Sequence, residues 1–400
     1  MSQILRVGVL GAGRGASLGQ LFDRHPLTQT VALCERDEAR RERGTARLPH
    51  LEATYADYDA FLAHGLDIVV VANDATAHVP YVIKALEARR HVLSELMACR
   101  SMAEAVALVR AVERADTLYF FGENCCWMRP VLEMKRLYQA GLLGEYMYGE
   151  CEYVHDCSRS WPRLTYGDPQ HWRNRLPATV YCSHALGPML EITGTRPVSC
   201  IGLTTPNRLG QQVGRRGDDM GVVLCRMDSG AVTKMLLGLA LRREPLSHWY
   251  SLYGTKGHVE NGRGADEDSL RLYLEDDLSE GGRRYTPSYP RRLDWAADGG
   301  HGGSDAQMIE DFVQAIVAGS PAPIDVYRAL DMTLPGLLGH RSALQGGAPI
   351  EIPDLHDEAI RERYQEDDWS PALTPSAHGD VSVPPEVYAA QKRAYRESLS

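Results

Sequence analysis

Residues 5–16 read Leu5-Arg-Val-Gly-Val-Leu-Gly-Ala-Gly-Arg-Gly-Ala16. The apolar run up to Gly11 predicts a buried strand, the glycines after it a tight turn, and Ser17 onward a helix. Gly11 lets the chain leave the strand sharply. Gly13 lets backbone approach a pyrophosphate with no Cβ in the way, and Ala16, in place of a third glycine, is small enough for helix to pack on strand. Arg14 and Gly15 lie within the same turn. The helix start then offers unpaired N–H groups and a partial positive charge to an anion. Glu35 ends the next apolar run, Thr30–Glu35. A carboxylate there accepts hydrogen bonds from an adenosine ribose and repels a 2′-phosphate, which favours NAD over NADP; Arg36 beside it works against that preference.

Outward from this stretch, short apolar runs alternate with helical ones. Strands are expected at 66–72, 91–95 and 118–122, and helices at 38–43, 78–89 and 102–114. The fold class is therefore α/β, a doubly wound parallel sheet with helices on both faces. After about residue 145 the pattern changes to longer strands, at 146–153, 198–204, 221–227, 231–239, 247–253 and 270–274. They predict a C-terminal α+β domain with a large open, mostly antiparallel sheet. Helices are expected at 305–318, 326–344 and 386–398, and loops at 261–268, 280–284 and 321–323. The expected boundaries are 1–125 for the nucleotide domain, 126–355 for the substrate and oligomerisation domain, and 356–400 for an extension.

The 400 residues carry a net charge of −10. No basic stripe speaks for nucleic acid, and no run approaches the ~20 apolar residues of a membrane span. Without a signal-peptide pattern, and with nine cysteines in no zinc-type pairing, the expectation is a cytoplasmic protein with reduced thiols. No HExxH or His-x-His set is present, so no metal is expected.

Val69-Val-Val-Ala-Asn73 with His78, and His91-Val-Leu-Ser-Glu95, resemble the third and fourth strand ends of the Gfo/Idh/MocA oxidoreductases. That resemblance implies an N-terminal Rossmann domain and activity on sugars or cyclitols. The usual member has Glu-Lys-Pro where Glu95, Leu96 and Met97 stand, so the lysine that assists hydride transfer is missing. Five further stretches are similar to the NAD-dependent glycoside hydrolases of the α-N-acetylgalactosaminidase type, family 109. They are Gly122-Glu-Asn-Cys-Cys-Trp-Met-Arg129, Glu150-Cys-Glu-Tyr-Val-His-Asp156, Tyr181-Cys-Ser-His-Ala-Leu-Gly-Pro188, Gly299-Gly-His-Gly-Gly303 and Asp325-Val-Tyr327. The resemblance implies a tightly bound, recycled NAD. The sugar C3 hydroxyl is oxidised, the C1 group eliminated, water added, and C3 reduced again, which amounts to hydrolysis of a glycoside; those hydrolases commonly carry an export signal that is not visible here, so an intracellular glycoside is expected. A homo-oligomer, dimer or tetramer, is also implied.

On this reading His184 meets the sugar at C3, where a neutral imidazole accepts a proton. Tyr181 shares its face if 181–184 begins a helix; a tyrosine acts as a base only where positive charge favours its phenolate. Tyr153 and His155 alternate along a strand and face the same way. His301, among four glycines, sits on a loop that can bring an imidazole to a ligand. These five are the expected catalytic residues. Cofactor contacts are expected from Gly11, Gly13, Arg14, Gly15, Ala16, Glu35, Asn73, His78, Glu95 and Glu123. Substrate contacts are expected from Asn124, Trp172 and Tyr250, the last in a His248-Trp249-Tyr250 run that offers an aromatic platform. Two other readings remain open at this point: a conventional sugar or cyclitol dehydrogenase or 3-keto-sugar oxidoreductase, and a non-catalytic nucleotide-binding protein.

Overall fold

A computed structural model describes residues 4–243, 247–277, 281–296 and 299–399. The chain forms two compact units, each discontinuous in sequence. The first comprises Met1–Met128, Pro290–Leu330 and Leu355–Asp368; the second comprises Arg129–Tyr289, Asp331–Asp354 and Trp369–Ser400. Where the sequence drew boundaries at 125 and 355, the chain instead returns to the first unit twice.

The first unit holds six parallel strands: β1 (Leu5–Leu10), β2 (Thr28–Cys34), β3 (Ala53–Tyr55), β4 (Ile68–Val71), β5 (His91–Ser94) and β6 (Tyr119–Phe121), in the order β3-β2-β1-β4-β5-β6. Ile68, Val69, Val70 and Val71 are wholly buried, as a strand covered on both faces requires. The strand order reverses beside β1, and in such sheets ligands sit at the carboxyl ends of the strands near that reversal. The helix after β1 begins at Arg14, three residues earlier than the sequence suggested. The helix Met102–Arg114 starts where Ser101 caps the amide of Glu104, a cap that satisfies an otherwise orphaned N–H.

The second unit is built on nine strands: β7 (Tyr146–Val154), β8 (Pro197–Thr204), β9 (Met220–Met227), β10 (Val232–Gly238), β11 (Ser247–Gly254), β12 (Gly257–Asn261), β13 (Leu270–Leu274), β14 (Arg283–Tyr285) and β15 (Ile350–Glu351). Their order is β14-β13-β12-β11-β7-β10-β9-β8-β15. All ladders are antiparallel except β10 on β7. The sequence missed β12, and residues 283 and 284, expected in a loop, begin β14; Glu280 of that loop lies outside the described residues. Each of these strands is short and gains its order from a neighbour in the sheet, not from its own apolar pattern. The helix Val326–Leu344 reaches β8 by backbone contact: a Cβ on Gly202 would lie 1.9 Å from the carbonyl oxygen of Gly339. The helix Pro385–Glu397 is tied down by Tyr388, whose hydroxyl donates to the Gly214 carbonyl and accepts from Arg216 Nε, both at 3.1 Å.

Candidate active site

In the first unit the residues singled out for the cofactor follow the strand ends directly. Gly11 follows β1, Glu35 follows β2, Asn73 lies two residues past β4, Glu95 follows β5 and Glu123 lies two residues past β6. Gly11 has φ +101°, and a Cβ there would meet the Ala72 carbonyl oxygen at 2.5 Å. Only glycine adopts that conformation at little cost. The helix beginning at Arg14 has no side-chain cap, so its first amides are available to an anion. Glu35 accepts from the Ala12 amide at 3.2 Å and the Asp37 amide at 3.1 Å, which fixes its carboxylate beside the turn. The turn therefore fits a dinucleotide. Ala16 is buried, and Gly15 beside it also packs closely on the strand, where a Cβ would lie 2.7 Å from Val9 Cγ1.

Arg14 has a defined task within the unit. Its Nε donates to Glu95 Oε1 at 2.7 Å, and its two terminal nitrogens donate to Asp305 at 2.7 and 2.8 Å. Asp305, which the sequence reading passed over, also accepts from Asn124 Nδ2 at 2.9 Å and faces His301 Nδ1 at 2.9 Å. Burial alone would raise the Asp305 carboxyl. The hydrogen bonds from Arg14 and His301 outweigh that and hold it well below the usual carboxylate range. Burial likewise opposes the Arg14 charge, and Glu95 and Asp305 more than restore it. His78 is buried with one ring nitrogen 2.9 Å from the Glu95 carbonyl oxygen and the other 3.3 Å from that of Asn73. It joins the ends of β4 and β5. Glu123 is fully buried and accepts from the Cys125 amide at 3.2 Å. His301 belongs to this first unit, not to the substrate domain in which the sequence placed it.

The second unit gathers four half-buried rings around that of Tyr153. Ring centroids lie 4.6 Å away for His184, 5.3 Å for His248, 6.0 Å for His155 and 6.1 Å for Tyr181. Tyr153 ends β7, and His155 follows with its amide bonded to the Gly238 carbonyl at 2.8 Å. Tyr181 lies in a short 3-10 turn and His184 in the first turn of the helix Ser183–Thr193, their rings 6.4 Å apart and stacked. Tyr153 and Tyr181 both pack on the buried cluster of Cys157, Trp161 and Leu239, and the Trp161 indole N–H donates to Asn174 Oδ1 at 3.0 Å. His155 has its Nδ1 3.2 Å from Cys157 Sγ.

Two expected substrate residues look different in place. Tyr250 is wholly buried, and its hydroxyl donates to the His184 carbonyl at 2.6 Å. Its ring is a buttress, while His248, two positions earlier on the same strand, β11, joins the ring cluster. Strand alternation turns Trp249, between them, to the other face, so the run of three aromatics never forms one flat platform. Trp172 is covered by its own neighbours, His171 stacked at 5.5 Å and the Arg173 guanidinium 4.2 Å over its ring. All nine cysteines are buried thiols. Among the described residues no helix is long and apolar enough to cross a membrane.

Comparison with known proteins agrees with both halves of this description. A family model for oxidoreductases with an NAD-binding Rossmann fold, GFO_IDH_MocA, matches residues 5–123. One for the C-terminal domain of glycosyl hydrolase 109 matches residues 244–361. A glycosyl hydrolase family 109 protein of Streptomyces filamentosus is 29% identical over 88% of this chain and 77% of its own length. Another, from Solibacter usitatus, is 28% identical over 88% of each. The fold is shared with levoglucosan dehydrogenase in complex with NADH and levoglucosan, at a TM-score of 0.74 and 19% identity over 88% of this chain and all of that one. An oxidoreductase of Agrobacterium radiobacter solved with NAD+, L-tartaric acid and magnesium gives a TM-score of 0.73 at 19% identity, over 87% and 98%. The cofactor of the first unit is NAD, and the protein is an NAD-dependent enzyme of the oxidoreductase and glycosidase kind. The chain thus joins an N-terminal part that matches the Gfo/Idh/MocA oxidoreductase family model to a later part that matches the model of the glycosyl hydrolase 109 C-terminal domain.

Proposed function

We propose that this protein hydrolyses a small glycoside while keeping its NAD. The observation that carries this reading is the ring cluster of Tyr153, Tyr181, His184 and His248 in a chain whose residue after Glu95 is Leu96. No lysine stands there to take the proton of a sugar hydroxyl, while two histidines and two tyrosines, each with its ring centroid within 6.4 Å of His184 or Tyr153, can accept and return protons. Bound NAD supplies a hydride acceptor that becomes the hydride donor of the closing step. His184 takes the C3 hydroxyl proton, and its main chain is held for that task by Tyr250. Tyr153 and Tyr181 present ring faces and hydroxyls to the sugar, and in the first unit Glu123 contacts the cofactor. The route needs no carboxylate pair flanking the glycosidic bond.

The test is a panel of para-nitrophenyl glycosides supplied with NAD+, read for phenolate and for NADH together. Phenolate release without net NADH, with deuterium entering C2 in deuterated water, is the expected result. Stoichiometric NADH from free sugar would replace hydrolysis with net oxidation. Unchanged turnover in His184→Ala would remove that residue from the reaction.

A further inference from the structure

The helix Pro385–Glu397 lies beyond both regions that the family models match, and it packs on the second unit with one face. Val387, Tyr388, Gln391 and Tyr395 are half-buried, while the residues between 388 and 391 and between 391 and 395 are exposed. That spacing puts the four on one side of a helix. Where Tyr395 passes, its ring lies 5.9 Å from that of Tyr166. Where Lys392 passes, backbone meets backbone: a Cβ on Gly167, whose φ is +63°, would lie 2.8 Å from Lys392 Cα. The helix therefore touches the loop 157–176 directly.

A second path runs through residues 213–216, which alternate between two sides. Val213 packs on the buried cluster of Cys157, Trp161 and Leu239. Arg215 is wholly buried, with its guanidinium 5.2 Å from the Trp161 ring centre and its Nη2 donating to the Leu176 carbonyl at 3.1 Å. Gly214 and Arg216 turn the other way, to the Tyr388 hydroxyl, which donates to the Gly214 carbonyl and accepts from Arg216 Nε. The Val381 amide donates to the Arg216 carbonyl at 3.1 Å, and the Arg216 amide donates to the Asn174 carbonyl at 2.7 Å. Asn174 in turn accepts from the Trp161 indole and donates to the carbonyls of Asp168 and Pro169. Tyr388 outside and Trp161 inside are thus the two ends of a bridge one peptide segment thick. The inner end belongs to the cluster against which Tyr153 and Tyr181 pack.

We propose that Tyr388 is a positioning residue, and the helix Pro385–Glu397 a clamp, that hold the loop 157–176 as a rigid back wall of the ring cluster and so set the rate of turnover. The proposal rests on the glycosidase reading above, in which Tyr153 and Tyr181 face the sugar. Within itself the loop is held by one four-residue helix, Trp161–Leu164, and one 3-10 turn, Trp172–Asn174. A segment with so little hydrogen bonding of its own takes its order from what packs on it. Hydride and proton transfer tolerate little misplacement, and a shift of about 1 Å caused far from the chemistry can cost roughly 10²-fold in rate. A wall free to move therefore slows the reaction even though every reacting group is still present.

The test uses the full-length chain loaded with NAD, as Tyr388→Ala and Tyr388→Phe. Amide hydrogen exchange read by mass spectrometry needs no substrate. In Tyr388→Ala the amides of 157–176 should exchange roughly tenfold faster, with peptides of the six-stranded parallel sheet unchanged. Tyr388→Phe keeps the ring and loses both hydroxyl bonds, so it should fall between the Ala variant and the wild type. Arg393→Ala, on the exposed side of the same helix, should match the wild type. In the second arm, turnover of an aryl glycoside, kcat of Tyr388→Ala should drop by roughly tenfold or more, with a smaller change in KM and wild-type NAD content. Unchanged exchange in 157–176 overturns the clamp. Exchange that rises equally across the whole nine-stranded sheet overturns it too, since the helix then contributes general stability alone. A loosened loop with wild-type kcat overturns the positioning role. If Tyr388→Ala does not fold, Tyr388→Phe decides by the same readings. If the wild type cleaves no glycoside, the hydrolase reading and the effect on turnover fall together, and the exchange arm still decides whether the helix holds the loop.

Discussion

The hydroxyl of Tyr250 donates to the backbone carbonyl of His184 across 2.6 Å, so a buried side chain in the sheet fixes the first turn of the helix that carries the imidazole. Tyr250→Phe removes the donor and leaves that carbonyl without it. An unsatisfied buried acceptor costs about 1–3 kcal/mol, to be read as lost stability in urea unfolding. Because His184 sits on the freed turn, kcat should fall more than KM rises. Wild-type stability and wild-type kcat together would show the bond to be idle.

Gly11→Ala should be poorly tolerated. Its φ of +101° and the Ala72 carbonyl oxygen at 2.5 Å from the added Cβ leave no room for a methyl group. The left-handed conformation alone costs roughly 1–2 kcal/mol, and the clash adds to it. The purified variant should be less stable and hold little NAD. Full NAD content at wild-type stability would mean that the turn relaxes in a way the structure does not indicate.

Glu35→Ala bears on the choice of cofactor. A charge-assisted hydrogen bond is worth about 1.5–3 kcal/mol, so NAD affinity should drop by roughly tenfold or more. NADP should gain relative to NAD once the repelling carboxylate is gone. Titration of protein stripped of cofactor with each dinucleotide measures both effects, and an unchanged ratio would place the ribose contact elsewhere.

His258 supplies a pH dependence outside the ring cluster. It lies between Tyr253 and Tyr273 with Nε2 2.8 Å from Ser251 Oγ, and burial lowers its pKa to about 4. The unfolded chain titrates this group near ~6.5. Folding therefore favours the neutral ring. Its contribution is complete above about pH 6.5 and is eroded as pH falls toward 4. His258→Phe should flatten the loss of stability across that interval in urea unfolding. Parallel pH curves for variant and wild type would count against it.

Most of the cofactor half was legible because its signals are local. Glycines at a strand end, a carboxylate closing the next strand and apolar runs of fixed length lie close together in sequence. The close packing of Gly15 on the strand was less legible, because the helix begins at Arg14, three residues before Ser17. The second unit was legible as strands but not as a site. Tyr181 and His184 carry a local spacing. The meeting of Tyr153 with His248 depends on β11 pairing with β7 in a register that places His248 opposite Tyr153. Trp161, part of the buried cluster against which Tyr153 and Tyr181 pack, stands in a polar stretch with no periodicity. Asp305 was invisible for a plainer reason: the residues that give it meaning, Arg14 and Asn124, lie 291 and 181 positions away.

That separation sets the order of events on the ribosome. Arg14 and Glu95 can pair early, but the carboxylate that completes the guanidinium's bonding is synthesised 291 residues after it. At ordinary translation rates that delay is about 15–60 s. Until then the nascent glycine turn has a single ionic anchor, and an N-terminal fragment ending near residue 128 never acquires the second. Segments 290–330 and 355–368 thus act as the late half of a split domain. Expressed separately, they are the natural partner with which to complement such a fragment.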